Sequence, residues 1–272
     1  MKKSYGWIIL IIILAVLGFV VEQMRPEPPQ VDIPQHTDTQ RTDTQGNTLP
    51  DITPKEDEKQ EKKAPYYIEG VTVDEVITYF EEVCMESEYT PSGTGNPALV
   101  QRWEAPIYYY FSGAPTEKDK AIVREMALQI NDIEGFPGFF ESKNGSGAVE
   151  IRFCGVEEML NFLGGDFTEA NYGGFRFWYT DDVIDRGIIC CRNDVVSQQE
   201  RKSVIKEEIY GLLGASQDTV LREDSILYEY SNTNYDLSEM DVLILRLLYH
   251  PQIRCGMNID ECAEVFRRIY HP

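Results

Sequence analysis

Histidine is the scarcest chemistry-bearing residue in this chain: three in 272 residues, at positions 36, 250 and 271. A catalytic zinc site built on imidazoles uses up to three of them, so such a site would have to gather them from distant parts of the chain. No two cysteines form a C-x-x-C pair, which removes the common cysteine-based zinc motifs. Basic residues are short as well. Lys and Arg total 25 against 46 Asp and Glu, a net charge of −21, and residues 66–272 alone carry 36 acidic and 17 basic side chains. A phosphate backbone is held by clustered Lys and Arg, so no nucleic-acid partner is expected. Neither a nucleophile elbow nor a papain-like stretch is present, and the glycine clusters SGTGN and NGSGAV lie between the wrong elements to cradle phosphate. No cysteine precedes Cys84, so the N-terminal segment has none to carry a lipid.

Long apolar runs are absent with one exception. Trp7 to Val21 reads WIILIIILAVLGFVV, and with Tyr5 and Gly6 the uncharged stretch reaches the lower length for crossing a bilayer. It passes into Glu22 without a small-residue cleavage site, so residues 1–24 read as an uncleaved signal anchor, a cleaved signal peptide being the alternative. Lys2 and Lys3 then stay in the cytoplasm. Residues 5–21 contact the membrane, and everything beyond is extracytoplasmic. Residues 25–65 hold seven of the fourteen prolines among Gln, Thr, Asp, Glu and Lys. Such a segment buries too little surface to offset its ordering entropy, and it is expected to be a disordered tether.

Residues 66–272 are enough for one folded domain. In 71–89 the residues Val73, Val76, Ile77, Phe80, Val83 and Cys84 recur at three-and-four spacing, which predicts a helix. Strands are predicted at 105–113 and in GAVEIRFCG, GGFRFWYTDD and RGIICCRND. Further helices are predicted after the cap Thr116, over 197–214 with Gly214 as its stop, and after the caps Ser238 and Asn258. The order is helix, strand, long helix, three strands and three helices. It predicts an α+β class, a mixed sheet backed by helices. Cysteines 84, 154, 190, 191, 255 and 262 are even in number. Cys255 and Cys262 are near enough in sequence to close a small loop, and one of the adjacent Cys190 and Cys191 could meet Cys154 across a sheet. Buried free thiols are the other reading.

The stretches YFEEVCMESEY (79–89), VQRWEAPIYYYFSG (100–113), EEIYGLLGASQD (207–218), DSILYEY (224–230), MDVLILRLLYHPQI (240–253) and CGMN (255–258) resemble a bacterial exported family known as a domain of unknown function. EEIYGLLGASQD, followed by Ser225, Ile226, Leu227 and Tyr228, is also distantly similar to the metzincin metalloproteases. Their helix carries His-Glu-x-x-His-x-x-Gly-x-x-His, with a Ser-Ile-Met-Tyr turn beneath the metal. Two imidazoles four apart share a helix face, and the Glu takes a proton from metal-bound water. On that resemblance the general base falls on Glu208 and the turn glycine on Gly214. The three ligand positions fall on Glu207, Gly211 and Gln217, of which only Glu207 is a plausible zinc ligand, and Leu227 stands at the methionine of the turn. The resemblance therefore implies a metzincin-like fold with a degenerate zinc helix, no metal and no cofactor.

A carboxylate pocket for calcium or magnesium would draw on Glu207, Glu208, Asp218 and Asp224. The plainer expectation has Glu207 solvated, Glu208 accepting hydrogen bonds from a strand or turn, and Asp218 capping the turn after Gly214. His250 is expected at a helix end, where its positive form would suit the dipole. Metzincin-like folds hold an extended peptide along an edge strand, and the resemblance places YGGFRFWYTDD there, with Phe175, Phe177, Trp178 and Tyr179 as candidate contacts. The functional expectation is a membrane-anchored, non-catalytic binding or scaffolding module for an extended peptide or an envelope protein. A hydrolase using Glu208 as base is the alternative.

Overall fold

The computed structural model describes residues 66–85, 98–165, 167–194, 197–230 and 234–272. The predicted signal anchor, residues 1–24, and the predicted tether, residues 25–65, lie outside the described residues. No described helix is long and apolar enough to cross a membrane.

Helix α1, Val73–Met85, buries Val76, Phe80, Val83 and Cys84 of the predicted stripe and adds Tyr79 and Met85, while Val73 and Ile77 pack at its margin. Strand β1, Arg102–Trp103, comes next, then β2, Ile107–Gly113. Thr116 and Asp119 form a capping box that starts α2, Glu117–Asn131. After it come β3, Phe139–Glu141, and β4, Val149–Cys154. Helix α3, Val156–Leu163, leads to β5, Gly173–Thr180, and β6, Val183–Arg192. Asp181 and Asp182 join these two strands with both φ angles positive, the conformation that lets a two-residue hairpin follow the twist of its strands. Helix α4, Gln198–Leu212, is capped by Ser197 and Glu200. Helices α5, Glu239–Leu248, and α6, Ile259–Ile269, start at the predicted caps Ser238 and Asn258.

The class is mixed α/β, with one six-stranded sheet in the order β1-β6-β4-β2-β3 and β5 paired to β6. Only β5 runs antiparallel; the pairs β1–β6, β4–β6, β2–β4 and β2–β3 are parallel. The expected mixed sheet backed by helices is present, and the expected order of helix, strand, long helix, three strands and three helices is corrected by three further elements. Two elements were not foreseen as strands, β1 and β3, and α3 was not foreseen as a helix. Helices α2 and α3 provide the long crossovers that parallel neighbours require. Strand β6 meets β4 along 187–192, β1 at Val183 and Ile184, and β5 along most of its length. Strands β1 and β4 thus share one side of β6, and β5 takes the other as an edge.

The main core lies on one face of the sheet, against α2 and α4 and the α1, α5 and α6 helices. A small cluster of Cys154, Met159, Leu163 and Cys190 fills the other face under α3. Helix α4 is buried on most of its sides, the polar Arg201, Ser203, Lys206 and Glu208 included, and sits inside the domain, so its last carbonyls need partners there. Trp103 Nε1 donates to Leu212 O at 2.9 Å and the Tyr249 hydroxyl to Leu213 O at 2.8 Å. Gly214, at φ 109°, ends the helix as predicted, and a Cβ there would fall 2.4 Å from Gln101 O. At the opposite pole of the sequence, the Tyr270 hydroxyl donates to Val71 O at 2.8 Å and lies 3.1 Å from Ile68 O.

All six cysteines are free, which corrects the proposed Cys255–Cys262 loop. The Cys255 thiol faces Arg102 O and Glu104, whereas Cys262 is buried in the core beside Cys84. Of the adjacent pair, Cys190 meets Cys154 and Cys191 enters the main core. Cys190 is in register with Arg152 and Cys154 with Arg192, so the two thiols sit on a diagonal, packed in one cluster as free groups.

Candidate functional site

The site begins with α4. Arg201 pairs with the fully buried Asp119, and Lys206, itself fully buried, reaches Glu125 at 2.8 Å and Asp236 at 3.0 Å. These pairs fix the helix against α2 and its surroundings, and they fix the direction in which Glu207 and Glu208 point. Those two side chains face a cavity of about 300 Å³ together with Asp218, Ser216 and Leu227. Gly173, Gly174, Phe175, Arg176, Phe177 and Trp178 of β5, with Phe167 and Asn171, complete the lining.

The strand lines the cavity with both of its faces. Gly173 and Phe175 turn toward α4, because a Cβ on Gly173 would meet Val204 and Glu208 and the Phe175 ring covers Gly211. Gly174 turns the other way, toward Phe167 and Leu163. A cavity touched by both faces lies along the strand's open edge. The backbone phase agrees. Arg192 N donates to Tyr172 O at 2.9 Å, and hydrogen-bonded pairs alternate along an antiparallel ladder, so Gly173, Phe175 and Phe177 present N–H and C=O groups outward. Among the described residues β5 pairs with no strand except β6. Phe175 stacks on Phe177 with centroids 6.2 Å apart, Tyr179 lies tilted against Phe177 at 6.3 Å, and Arg186 covers Trp178 at 4.1 Å. Trp178 and Tyr179 are exposed.

Glu208 is only 8% exposed and accepts no hydrogen bond among the described residues. This corrects the expectation that a strand or turn would donate to it: the nearest part of β5 is Gly173, which has no side chain to offer. Glu207, expected in solvent, is partly buried at the cavity wall. Burial pushes both carboxyls above the ordinary range, and each is pushed further by the negative charge of Asp218, Glu208 also by Glu207. Cys191 lies beneath Glu208, and burial and that carboxylate drive its thiol pKa up. Arg176 is the cation at the wall, but it donates to Gly164 O at 3.1 Å and stands over Phe167.

The other positions singled out in the sequence are dispersed or filled. Gly211 has no room for a side chain, since a Cβ there would be 2.4 Å from Phe175 Cε1. Gln217 does not line the cavity; its amide oxygen is buried without a hydrogen-bond partner, and its N–H donates to Val83 O at 3.2 Å. Asp224 is bound by Arg222 at 2.9 Å and does not line the cavity that Glu207, Glu208 and Asp218 share. Among the described residues no three His, Cys, Asp or Glu side chains converge closely enough to hold a metal ion. His250 is buried beside the Tyr66 ring and accepts from Gln252 N through Nδ1. Burial lowers its pKa, so the neutral form is favoured, contrary to the charged helix-end role expected for it. The glycines of β5 admit side chains of the domain itself, from Val204, Glu208 and Phe167, instead of another backbone.

The Ser225–Tyr228 turn forms the floor. Ser225 accepts from the Tyr79 hydroxyl at 2.7 Å and donates to Asp241 at 2.7 Å, while Ile226 N donates to the same carboxylate at 3.1 Å. Leu227 is buried and faces the cavity, and a parallel bridge joins Tyr228 to Thr219. The part played by Asp241 was not foreseen. Its signal in the sequence is Ser238-x-x-Asp241, a capping box whose carboxylate also serves the turn.

The family described as "Protein of unknown function (DUF2927)" matches residues 74–268, a span that runs from the start of α1 nearly to the end of α6 and holds every residue lining the cavity. No curated protein matches the chain. The chain belongs to the DUF2927 family.

Proposed function

We propose that this domain is a non-catalytic binding module that captures an extended peptide by adding it to the open edge of β5, over the cavity walled by α4. The observation that carries the reading is the cavity's contact with both faces of β5 beside the outward N–H and C=O groups of Gly173, Phe175 and Phe177. Strand addition uses such groups for affinity and the flanking pockets for side-chain choice. The metzincin resemblance of EEIYGLLGASQD accords with it, because the helix and an antiparallel edge strand bound one cleft. On this reading the ancestral metal has been given up: Phe175 fills the space over Gly211, and Gln217 is turned away. The anchor of residues 1–24 and the tether of residues 25–65 would present the cleft outside the membrane, to an envelope protein or a peptide.

The test is hydrogen exchange on the full-length protein in detergent with a library of blocked pentapeptides. Slowed exchange at Phe175 and Phe177, lost when alternate peptide nitrogens are methylated, is the expected result. Unchanged exchange, or equal binding of the methylated peptides, would overturn the reading.

A second reading has Glu208 transferring a proton in a hydrolysis, and one observation favours it. A carboxyl in a cleft whose pKa is raised by burial and by neighbouring carboxylates is suited to acid–base work. If a hydrolytic activity is found, Glu208→Gln should abolish it and leave folding intact; equal activity in the variant ends this reading.

A further inference from the structure

We propose that the cavity receives one organic cation, the ammonium or guanidinium tip of a Lys or Arg side chain on the peptide added to β5. The inference deepens the strand-addition reading and rests on it for the backbone of the ligand.

Four observations lead there. Glu208 is more than nine-tenths buried, faces the cavity and has no hydrogen-bond donor among the described residues. A buried polar group without a partner is costly, and the native protein carries this one at the wall of a space large enough for a side chain. Glu207 stands beside it on the same wall, also without a donor among the described residues, and the charged groups acting on the pair there are carboxylates. The remaining walls are Phe167, Phe175, Phe177 and Leu227, which suit the alkyl stem of a long basic side chain. A small inorganic ion fits less well, because no three donors converge among the described residues and the space far exceeds an ion's volume.

The groups facing Glu208 can be named from each element packed on it. Glu207 comes from α4, Asp218 from the segment after it, and the Cys191 thiol from β6 beneath. Arg176 of β5 is turned to Gly164. Among the described residues Glu208 therefore meets repulsion and no matching cation. Burial and the neighbouring carboxylates favour the protonated form of the pair, and an entering cation favours the ionised form and displaces a proton to solvent.

Isothermal titration of the full-length protein in detergent tests this with three probes: blocked pentapeptide libraries with Lys or its neutral isostere norleucine at the central position, and n-butylammonium alone. The Lys library should bind about tenfold or more tightly than the norleucine library, a preference that Glu208→Gln removes. Binding should release protons, read as a heat that changes with the buffer's ionisation enthalpy. Equal affinity of the two libraries overturns the cation and leaves strand addition standing. Binding of n-butylammonium, weakened by Glu208→Gln, with neither library bound would support the cation and overturn strand addition. No binding of any probe overturns both. Stoichiometric calcium or zinc that excludes n-butylammonium overturns the organic cation in favour of a metal.

Discussion

Phe175 lies over Gly211 so closely that a methyl group on the helix would fall 2.4 Å from the ring's Cε1. The two residues are fitted to each other across the strand and the helix. Ala is worth about 1 kcal/mol more than Gly inside a helix, while overpacking costs about 1–3 kcal/mol. Gly211→Ala should therefore destabilise the protein in urea. In a Phe175→Ala background the clash is gone, and the same substitution should stabilise. A sign that stays the same in both backgrounds would contradict the fit.

Two buried cations on α4 should respond differently to removal. Asp119, the partner of Arg201, is fully buried, so Arg201→Met leaves a carboxylate without access to water and should cost about 3–5 kcal/mol. The partners of Lys206 are open to solvent, Glu125 at 46% and Asp236 at 69%, and hydrate once the ammonium is gone. Lys206→Met should cost about 1 kcal/mol or less. Urea midpoints at constant m-value compare the two.

The pH dependence of stability has a defined sign. Glu207 and Glu208 bind protons more tightly in the folded state than unfolded, so their contribution is complete below the ordinary carboxylate range and is lost as pH rises through their raised values. Asp241 acts in the same direction. Carboxylates held low by partners, such as Glu150 with Ser112 and Arg152, act in the opposite sense and only at acid pH. Between about pH 5 and pH 8 the unfolding free energy should fall. Glu208→Gln should flatten that fall by about 1.4 kcal/mol for each unit of its raised pKa. An unchanged slope would count against the buried carboxyl.

Thiol labelling separates the cysteines. Five are buried, and Cys255 is partly exposed. A maleimide should modify Cys255 first in the native protein and all six in denaturant, as counted by intact mass. Four labels in denaturant would mean that Cys154 and Cys190 had joined after all.

Much of this architecture was legible because local chemistry and tertiary placement agree. Thr116, Ser238 and Asn258 start helices where their side chains accept from the third backbone N–H, and Gly214 stops α4 because Gln101 leaves it no Cβ. The missed elements are those that neighbours create. Arg102–Trp103 is a strand only because Val183 and Ile184 lie beside it, and Phe139–Glu141 only because β2 does. The parallel character of the sheet depends on such long-range pairing, which a periodicity does not encode. At the site, Glu207 and Glu208 were found by their spacing from Gly214. Their environment was not, because it is made by Gly173, Phe167 and Asp218 arriving from separate segments. That Phe175 occupies the space over Gly211 is likewise invisible until strand and helix are brought together.

Tyr270 ties the last helix to Ile68 and Val71, so the chain enters the fold and nears its end at one shared corner. A pull on the segment before Tyr66 would be taken first by this clasp and by α1 against α6. Loosening Tyr270, as in Tyr270→Phe, should thus lower resistance to traction on that end, while the ledge formed by β5 stays shaped for its ligand.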